Sequence, residues 1–409
     1  MPLPSFLTLL LVILVARFCG MVLRRWGQPS VMGEVLGGIL LGPSLVGALF
    51  PEFSIAVFNP GALIFLKDIA EIGIALYLFI MGLEIDLPRL RQSARSAVVV
   101  SQMSILLPFA LGLFLASRIF ESYAPPNVGF LEFALFVGVS LSITAFPVLA
   151  RILGDSSLHR TRLGDLALTC AAIDDITAWC LVAVVTGIMG SQMTSAGVTI
   201  FLTIIYVLAM IFVIRPWIER ILPKIEKTSE RLSQALLAFA VLGALGSAAL
   251  TDLIGIHAFF GAFLFGAIIP HDSLIARDVT GRLQDLVAIL FLPAFFALTG
   301  LKTNLSLLSG GEHWWVCGGI IVLAILGKFG GAFTGALLSG SSRRDAALLG
   351  ILMNTRGLVE LIVLNIGLQL GILTPTLFTM LVIMALVTTL MTGPLLRWAL
   401  PPQPQKGDA

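Results

Sequence analysis

The sequence predicts an all-α polytopic membrane protein with about 13 transmembrane helices. Hydrophobic residues make up 58% of the 409-residue chain and charged residues only 12%, and the mean hydropathy is +1.02. Soluble domains carry about 25% charged residues. The apolar residues form long continuous segments of about 20 residues, the length that a helix needs to cross a bilayer. A transmembrane β-barrel is excluded, because its strands alternate apolar and polar residues.

The apolar segments follow one another with short connections and leave no room for a large soluble domain. Their centres lie near Ile13, Ile39, Ala75, Leu106, Val139, Ile176, Val207, Val241, Leu264, Leu292, Leu323, Val359 and Leu386. The first segment lacks a basic n-region and a cleavage site, so it is a membrane helix rather than a removed signal peptide. We therefore expect one transmembrane domain at residues 1–400 and a short cytoplasmic tail at residues 401–409.

Basic residues are concentrated in alternate connections. The odd-numbered connections hold most of the arginines and lysines, and Lys67, Arg118 and Lys302 are the main exceptions. The positive-inside rule then places the N-terminus outside and the C-terminus in the cytoplasm. The expected location is the inner (plasma) membrane of a cell.

Two pairs of short motifs indicate an inverted-topology repeat. Residues 37–45 (GGILLGPSL) resemble residues 261–269 (GAFLFGAII), and residues 81–87 (MGLEIDL) resemble residues 299–305 (TGLKTNL), at offsets of 224 and 218 residues. Each pair lies an odd number of predicted helices apart, so the two copies cross the membrane in opposite directions. Many secondary transporters contain such repeats.

Two adjacent carboxylates, Asp174 and Asp175, lie near the middle of the sixth apolar segment. An acid at the bilayer centre costs about 2.5–3.5 kcal/mol on insertion scales. A cation, a proton, a basic partner or a water-filled cavity must offset this cost. The pair therefore predicts an ion or proton site. The alternative, two acids that cap a helix at the interface, requires a shorter apolar segment on one side.

The fifth apolar segment contains a predicted helix interruption. Pro147 has no amide proton and disfavours a helical conformation at Phe146. Near such a break, the hydroxyls of Ser142 and Thr144 and freed backbone carbonyls can face an ion. The alternative is a plain proline kink in a packed helix.

The twelfth segment contains the corresponding interruption, at Asn354, Thr355, Arg356 and Gly357, followed by Glu360. Polar and charged residues at this depth are costly, and functional residues are the usual reason for them. The alternative is a structural ion pair of Arg356 with Glu360, which have the i, i+4 spacing of neighbours on a helix. Both interpretations can hold together.

Lys328 lies in the middle of the eleventh segment. An ammonium at this depth needs a carboxylate partner or must lose its proton, and Asp174 or Asp175 is the natural partner. Snorkelling to the interface is the alternative, but Lys328 is distant from both ends of its segment.

Six stretches together resemble the monovalent cation/proton antiporter superfamily (sodium/hydrogen exchanger-like), in the branch of bacterial Kef-type transporters and plant cation/proton exchangers. They are residues 33–44 (GEVLGGILLGPS), 79–84 (FIMGLE), 144–153 (TAFPVLARIL), 171–175 (AAIDD), 327–330 (GKFG) and 354–361 (NTRGLVEL). They run through nearly the whole chain in the expected order. The set is more specific than any single stretch.

The resemblance implies a homodimer, in which each protomer has a dimerisation scaffold and a six-helix core with two crossed, discontinuous helices. The core helices would lie at about residues 94–190 and 314–400, and the fifth and twelfth segments match the discontinuous pair. Asp174 and Asp175 match the ion site, where Asp175 binds the cation and the proton. Thr144 matches a position near the ion, so Asp175 and Thr144 are the expected Na⁺ or K⁺ ligands.

The resemblance also assigns a role to Lys328, which matches the lysine that pairs with the first acid in Asp-Asp members. Kef-type members often have Gln before a single Asp, where this chain has Asp174. This departure, together with the missing cytosolic nucleotide-binding domain, favours a proton-coupled exchanger over a glutathione-gated efflux channel.

The predicted function is secondary active antiport of Na⁺ or K⁺ against protons by alternating access, with Asp175 binding either a proton or a cation. The partners are the transported ions, the lipid bilayer and a second copy of the chain. No cofactor, no nucleic acid and no enzymatic activity are expected. One alternative is a gated potassium efflux channel without obligatory proton coupling. A membrane sensor is disfavoured because no signalling domain is attached, and an anion transporter is disfavoured by the Asp pair.

The stoichiometry stays open at this stage. If Lys328 releases a proton when the cation binds, two protons can exchange per cation and transport is electrogenic. If the pair of Lys328 and Asp174 is static, exchange is one for one.

Overall fold

The computed structural model describes residues 4–85, 94–154, 158, 161–189, 193–226 and 234–399. Every regular element in these ranges is helical. The predicted cytoplasmic tail at residues 401–409 lies outside the described residues, as do the basic connection at residues 86–93 and part of the seventh connection.

The helices are numbered here in chain order. The first ten are α1 (Ser5–Arg25), α2 (Ser30–Leu41), α3 (Val46–Leu49), α4 (Pro51–Val57), α5 (Pro60–Leu83), α6 (Ala94–Tyr123), α7 (Phe130–Ser142), α8 (Phe146–Gly154), α9 (Arg162–Met189) and α10 (Met193–Ala209). They are followed by α11 (Arg215–Glu226), α12 (Gln234–Ile254), α13 (Ala258–Ala267), α14 (Leu274–Leu286), α15 (Leu292–Lys302), α16 (Gly311–Leu338), α17 (Arg343–Met353), α18 (Leu358–Gln369) and α19 (Pro375–Ala399). Short π-helical turns join α10 to α11 (Met210–Ile214) and α14 to α15 (Val287–Phe291), and Leu305–Leu308 form a 3₁₀ turn.

In the described part of the chain, 10 helical segments are long and apolar enough to cross a membrane, or 11 if the bent pair α17 and α18 is one span. All of the predicted segment centres fall on described helices. Ala75 and Leu264 lie on helices outside this set, because α5 carries three charged residues and α13 is only 10 residues long. The prediction of an all-α polytopic membrane protein is confirmed, whereas the count of 13 spans stays a prediction.

Contacts within the chain define two compact units. The first unit comprises Met1–Phe18, Glu34–Gln92 and Trp179–Lys302, and the second comprises Cys19–Gly33, Ser93–Ala178 and Thr303–Ala409. The second unit holds both predicted broken helices. The assignment of a transporting core at about residues 94–190 and 314–400, and of the remainder to dimerisation, stays a prediction.

In the first unit, close packing of small residues follows the predicted repeat. A Cβ on Gly38 of α2 would collide with the carbonyl oxygen of Ala297 on α15. A Cβ on Gly266 of α13 would collide with the carbonyl oxygen of Phe79 on α5. The repeat relates α2 to α13 and α5 to α15, so it exchanges these two contacts, as a pseudo-two-fold axis requires. Small residues at such contacts let two helix backbones approach closely.

In the second unit, α6 lies along α16 through a row of glycines. Hypothetical Cβ atoms on Gly327, Gly331 and Gly335 would collide with backbone atoms of α6. This close approach places one face of α6 beside Lys328, which lies in the same glycine-rich stretch of α16. The packing of these two helices therefore positions the polar groups described below.

The fifth predicted segment is broken between α7 and α8, at residues 143–145, where Ile143 has extended backbone angles (φ −74°, ψ 139°). Pro147 is the second residue of α8. A proline in the first turn of a helix costs little, because the amides there have no intrahelical acceptor. For this reason α8 begins at Phe146 itself, and the break lies just before the residue where the sequence placed it.

The twelfth predicted segment is broken between Met353 and Leu358, and its halves α17 and α18 are bent by 44°. The backbone amide of Ala145 donates to the carbonyl oxygen of Thr355 at 3.1 Å. The two broken helices therefore meet at their interruptions, in agreement with the predicted pair of crossed discontinuous helices.

Candidate functional site

Asp174 lies at the centre of a buried polar cluster in the second unit. Its Oδ1 accepts a hydrogen bond from Ser101 at 2.5 Å. Its Oδ2 accepts hydrogen bonds from Ser104 at 2.9 Å and from Thr144 at 2.6 Å. Lys328 Nζ also donates to Oδ2, at 3.0 Å. All five side chains are buried, so this carboxylate is held by one ammonium and three hydroxyls.

Three separate elements bring these donors to Asp174, which belongs to α9. Ser101 and Ser104 are three residues apart on α6, a spacing that puts both hydroxyls on one helix face. Thr144 belongs to the break between α7 and α8, where the chain leaves the helical path. Lys328 comes from α16, which the glycine row holds close to α6.

Asp175 has a different environment from its neighbour. Its exposed fraction is 2%, and no side chain among the described residues donates a hydrogen bond to its carboxylate oxygens, whose one interacting donor there is the backbone amide of Phe146 at the start of α8. Buried polar groups in folded proteins are almost always partnered, and a buried charge without compensation is strongly unfavourable. A proton or a bound cation would reduce this penalty, and the role of Asp175 as the site of exchange stays a prediction.

Arg356 and Glu360 form a second buried ion pair in the same unit, with Nη1 and Oε1 3.1 Å apart and both side chains fully buried. Arg356 also donates to the carbonyl oxygens of Ser140 and Leu141, at 3.0 and 2.6 Å. These carbonyls belong to the last turn of α7, the negative end of that helix dipole. Glu360 lies in the first turn of α18, the positive end of the other dipole. The pair therefore links the two broken helices.

Thr389 of α19 stabilises the unwound backbone at Arg356. Its hydroxyl accepts from the amide of Arg356 at 2.9 Å and donates to the carbonyl of the same residue at 2.7 Å. The hydroxyl of Thr355 donates to the carbonyl of Leu352 at 2.6 Å. Asn354 is buried, and its Oδ1 has no hydrogen-bond partner within the described part of the chain.

The structure brings most of the predicted site residues together, although not in the predicted pairing. Thr144 donates to Asp174 and, at 3.3 Å, to the carbonyl of Met353, but no contact with Asp175 is recorded. Ser142 donates to the carbonyl of Gly138 at 2.7 Å, within its own helix. The proposed roles of these residues in ion binding stay predictions.

Sequence reasoning missed three residues that this cluster uses, Ser101, Ser104 and Thr389. The two serines carried a usable signal, because they are three positions apart in the middle of an apolar segment. Thr389 carried no distinct signal, since it lies beside Thr388, which bonds to its own helix.

Among the described residues, no group of three or more His, Cys, Asp and Glu side chains is arranged to hold a metal ion. A transported alkali cation is held differently, by one carboxylate together with unwound backbone carbonyls and hydroxyls. Two broken helices that meet beside buried ion pairs are the architecture of ion-coupled secondary transporters.

Comparison with known proteins gives the family. The family model described as sodium/hydrogen exchanger, transmembrane, matches residues 10–400. The chain therefore belongs to the sodium/hydrogen exchanger family. This confirms the predicted family and the predicted function of cation/proton antiport, and the alternative of a channel is not supported.

Three relatives illustrate the range of the family. The chain is 42% identical to the Na(+)/H(+) antiporter NhaS4 of Synechocystis sp., over 95% of each chain. It is 38% identical to Cation/H(+) antiporter 20 of Arabidopsis thaliana and 33% identical to K(+)/H(+) antiporter 1 of Saccharomyces cerevisiae. These two matches include 94% and 96% of this chain but only 47% and 46% of the two relatives, so the chain spans about half of their length. All three relatives are named as antiporters rather than as enzymes.

A solved structure supports the fold. The sodium proton antiporter MjNhaP1 from Methanocaldococcus jannaschii superimposes with a TM-score of 0.69, over 97% of this chain and 96% of that one. The sequence identity is 15%, so this likeness concerns the fold alone.

Proposed function

We propose that this chain exchanges a monovalent cation, Na⁺ or K⁺, for protons by alternating access, and that Asp175 binds the two ions in turn. The observation that carries this proposal is the environment of Asp175, a buried carboxylate with no side-chain hydrogen-bond partner and no ion pair among the described residues. Such a group is stable only when a proton or a cation neutralises it.

Competition at one carboxylate couples the two fluxes. Asp175 must be ionised to hold a cation, so a high proton activity expels the cation and a high cation activity expels the proton. The loaded site is then exposed to the other side of the membrane by a conformational change. The protein does not change conformation with Asp175 ionised and empty, because a buried carboxylate without a counter-charge is costly. Neither ion can therefore be transported without exchange for the other.

The other predicted residues support this site. The oxygen of Thr144 and the unwound backbone near Ala145 and Thr355 offer the kind of ligands that an alkali cation takes at broken helices. Asp174 and Lys328 neutralise each other, which leaves Asp175 as the carboxylate of this cluster without a fixed counter-charge. Arg356 and Glu360 keep the two broken helices together.

We place the chain in the inner (plasma) membrane as a homodimer, with the N-terminus outside and the C-terminus in the cytoplasm. The distribution of basic residues supports this orientation, and the resemblance to dimeric exchangers supports the dimer. The relatives named above include Na(+)/H(+) and K(+)/H(+) antiporters, so both cations are candidates for this chain.

Everted vesicles from cells that lack their own antiporters test the proposal. The vesicles are acidified by respiration in the presence of a pH-sensitive dye, and NaCl, KCl or LiCl is added at several pH values. We expect dequenching by at least one cation with the natural protein and none with Asp175→Asn.

Asp165→Asn is the matched control, because Asp165 is an exposed acid in the first turn of the same helix. It should transport like the natural protein. Dequenching in Asp175→Asn, or cation flux without proton movement in the natural protein, would contradict the proposal.

A further inference from the structure

The Asp174 carboxylate has more donors than its ion pair alone provides. Lys328 is the one charged donor, and Ser101, Ser104 and Thr144 donate through hydroxyls. Hydrogen bonds to an ionised group are roughly twice as strong as those between neutral groups. The carboxylate is therefore well held even by the hydroxyls.

The two serines contribute to Asp174 in different ways. The recorded acceptor of the Ser101 hydroxyl is Oδ1 of Asp174, at 2.5 Å. The Ser104 hydroxyl lies 2.9 Å from Oδ2 of Asp174 and 2.9 Å from the carbonyl oxygen of Ser101, so its single proton has two possible acceptors. Both serines are fully buried on α6, which packs tightly against the helix of Lys328. The serines therefore reach Asp174 from a helix that does not depend on the lysine side chain.

The two partners of the ion pair differ in what they lose when it opens. Asp174 keeps three hydroxyl donors if Lys328 moves away. For Lys328, the acceptor recorded in the described part of the chain is Asp174. Opening the pair would thus remove the recorded acceptor of the Lys328 ammonium, whereas the Asp174 carboxylate would keep its hydroxyl donors. Breaking a buried pair is strongly unfavourable mainly when a charge is left without compensation.

We propose that Ser101 and Ser104 are positioning residues that hold the Asp174 carboxylate independently of Lys328, so that this ion pair can open and close during transport. The proposal rests on the proposed function for the transport cycle itself. It assigns to the serines the task of holding Asp174 in place while Lys328 is displaced.

The test compares four proteins in the vesicle assay: the natural protein, Lys328→Gln, the double variant Ser101→Ala/Ser104→Ala, and the triple variant. We expect Lys328→Gln to retain cation-dependent proton transport. The triple variant should lose at least about tenfold more activity than the product of the two separate effects, because each change removes the remaining support of one buried carboxylate.

The half-saturating cation concentration separates positioning from simple packing. In Ser101→Ala/Ser104→Ala it should rise, because an Asp174 that is no longer held in place shifts the neighbouring Asp175, while the maximal rate changes less. A packing defect would lower the maximal rate and leave the half-saturating concentration unchanged. Ser117→Ala is the matched control, since Ser117 is an exposed serine of α6 that donates to the carbonyl of Phe114.

Independent effects, in which the triple variant equals the product of the other two, would overturn the proposal, as would an unchanged half-saturating cation concentration in the double variant. Size-exclusion profiles establish that each variant is folded, and if the triple variant is not, the coupling is measured between Lys328→Gln and Ser101→Ala alone. If the natural protein is active but the serine and Lys328 substitutions have independent effects, only the proposed role of the serines is overturned. An inactive natural protein or an active Asp175→Asn would instead overturn the proposed function.

Discussion

Nζ of Lys328 lies 3.0 Å from Oδ2 of Asp174, and both side chains are fully buried. The pair joins residues 154 positions apart in sequence, on α9 and α16. In this structure it gives the first acid of the Asp-Asp motif a counter-charge, and no ion pair is recorded for the second acid, Asp175, in the described part of the chain. The proposed difference in role between the two adjacent carboxylates is based on this contact.

The first prediction concerns stability without cation. Asp175→Asn removes a buried carboxylate that has no side-chain partner among the described residues, so it should raise the free energy of unfolding by about 1–3 kcal/mol at alkaline pH. The gain should vanish at low pH, where Asp175 of the natural protein is protonated and already neutral. Thermal unfolding of the purified protein at several pH values measures both effects. A variant that is less stable than the natural protein at alkaline pH would contradict this expectation.

The second prediction concerns pH and cation affinity. Because protons and cations compete for Asp175, lower pH should raise the cation concentration for half-maximal transport, by up to about tenfold per pH unit. The maximal rate at saturating cation should change much less. Initial rates of proton movement over a grid of pH and cation concentration check this. A maximal rate that falls with an unchanged half-saturating concentration would exclude simple competition.

The third prediction concerns the pair that links the broken helices. Arg356→Ala leaves the buried Glu360 without its counter-charge and removes two hydrogen bonds to the end of α7, so it should cost about 3–5 kcal/mol of stability. Arg215→Ala provides the comparison, because Arg215 and Glu219 form an ion pair with the same i, i+4 spacing but are exposed. That change should cost at most about 1 kcal/mol. Equal losses of stability in the two variants would mean that burial of the pair is unimportant.

The fourth prediction concerns the contact of α6 with α16. A Cβ at Gly331 would collide with the carbonyl of Met103 and lie 3.0 Å from Cα of Ser104. Gly331→Ala should therefore separate the helices, cost about 1–3 kcal/mol of stability and reduce transport by displacing Ser104 from Asp174. Gly319→Ala on the same helix meets open space and should behave like the natural protein. Thermal unfolding and the vesicle assay measure the two variants side by side.

The sequence predicted well those features whose residues are costly to place in a membrane. Hydropathy predicted the membrane class because unpaired backbone groups in lipid force a helical fold. Pro147 and the polar run from Asn354 to Glu360 marked both broken helices. The proline alone was not decisive, because α6 and α19 continue through Pro108 and Pro394. Asp174, Asp175 and Lys328 stood out because charged residues are costly in a membrane.

The features that the sequence could not predict depend on which way a side chain faces. Serines in apolar helices often bond to a carbonyl of their own helix. Ser142 was expected near the ion, but its acceptors are the carbonyls of Gly138 and Ile105. Ser104 was not expected there, and its acceptors are the carboxylate of Asp174 and the carbonyl of Ser101. The choice of Asp174 over Asp175 as the partner of Lys328 was left open from the residues alone, for the same reason.

The most direct test of the central claim is proton release on cation binding. The purified protein is placed in weakly buffered solution with a pH indicator, and Na⁺ or K⁺ is added at a pH where Asp175 is protonated. The account predicts release of about one proton for each cation bound by the natural protein and by Asp165→Asn, and no release by Asp175→Asn. Cation binding without proton release, or equal release by Asp175→Asn, would contradict the claim that a single carboxylate exchanges the two ions.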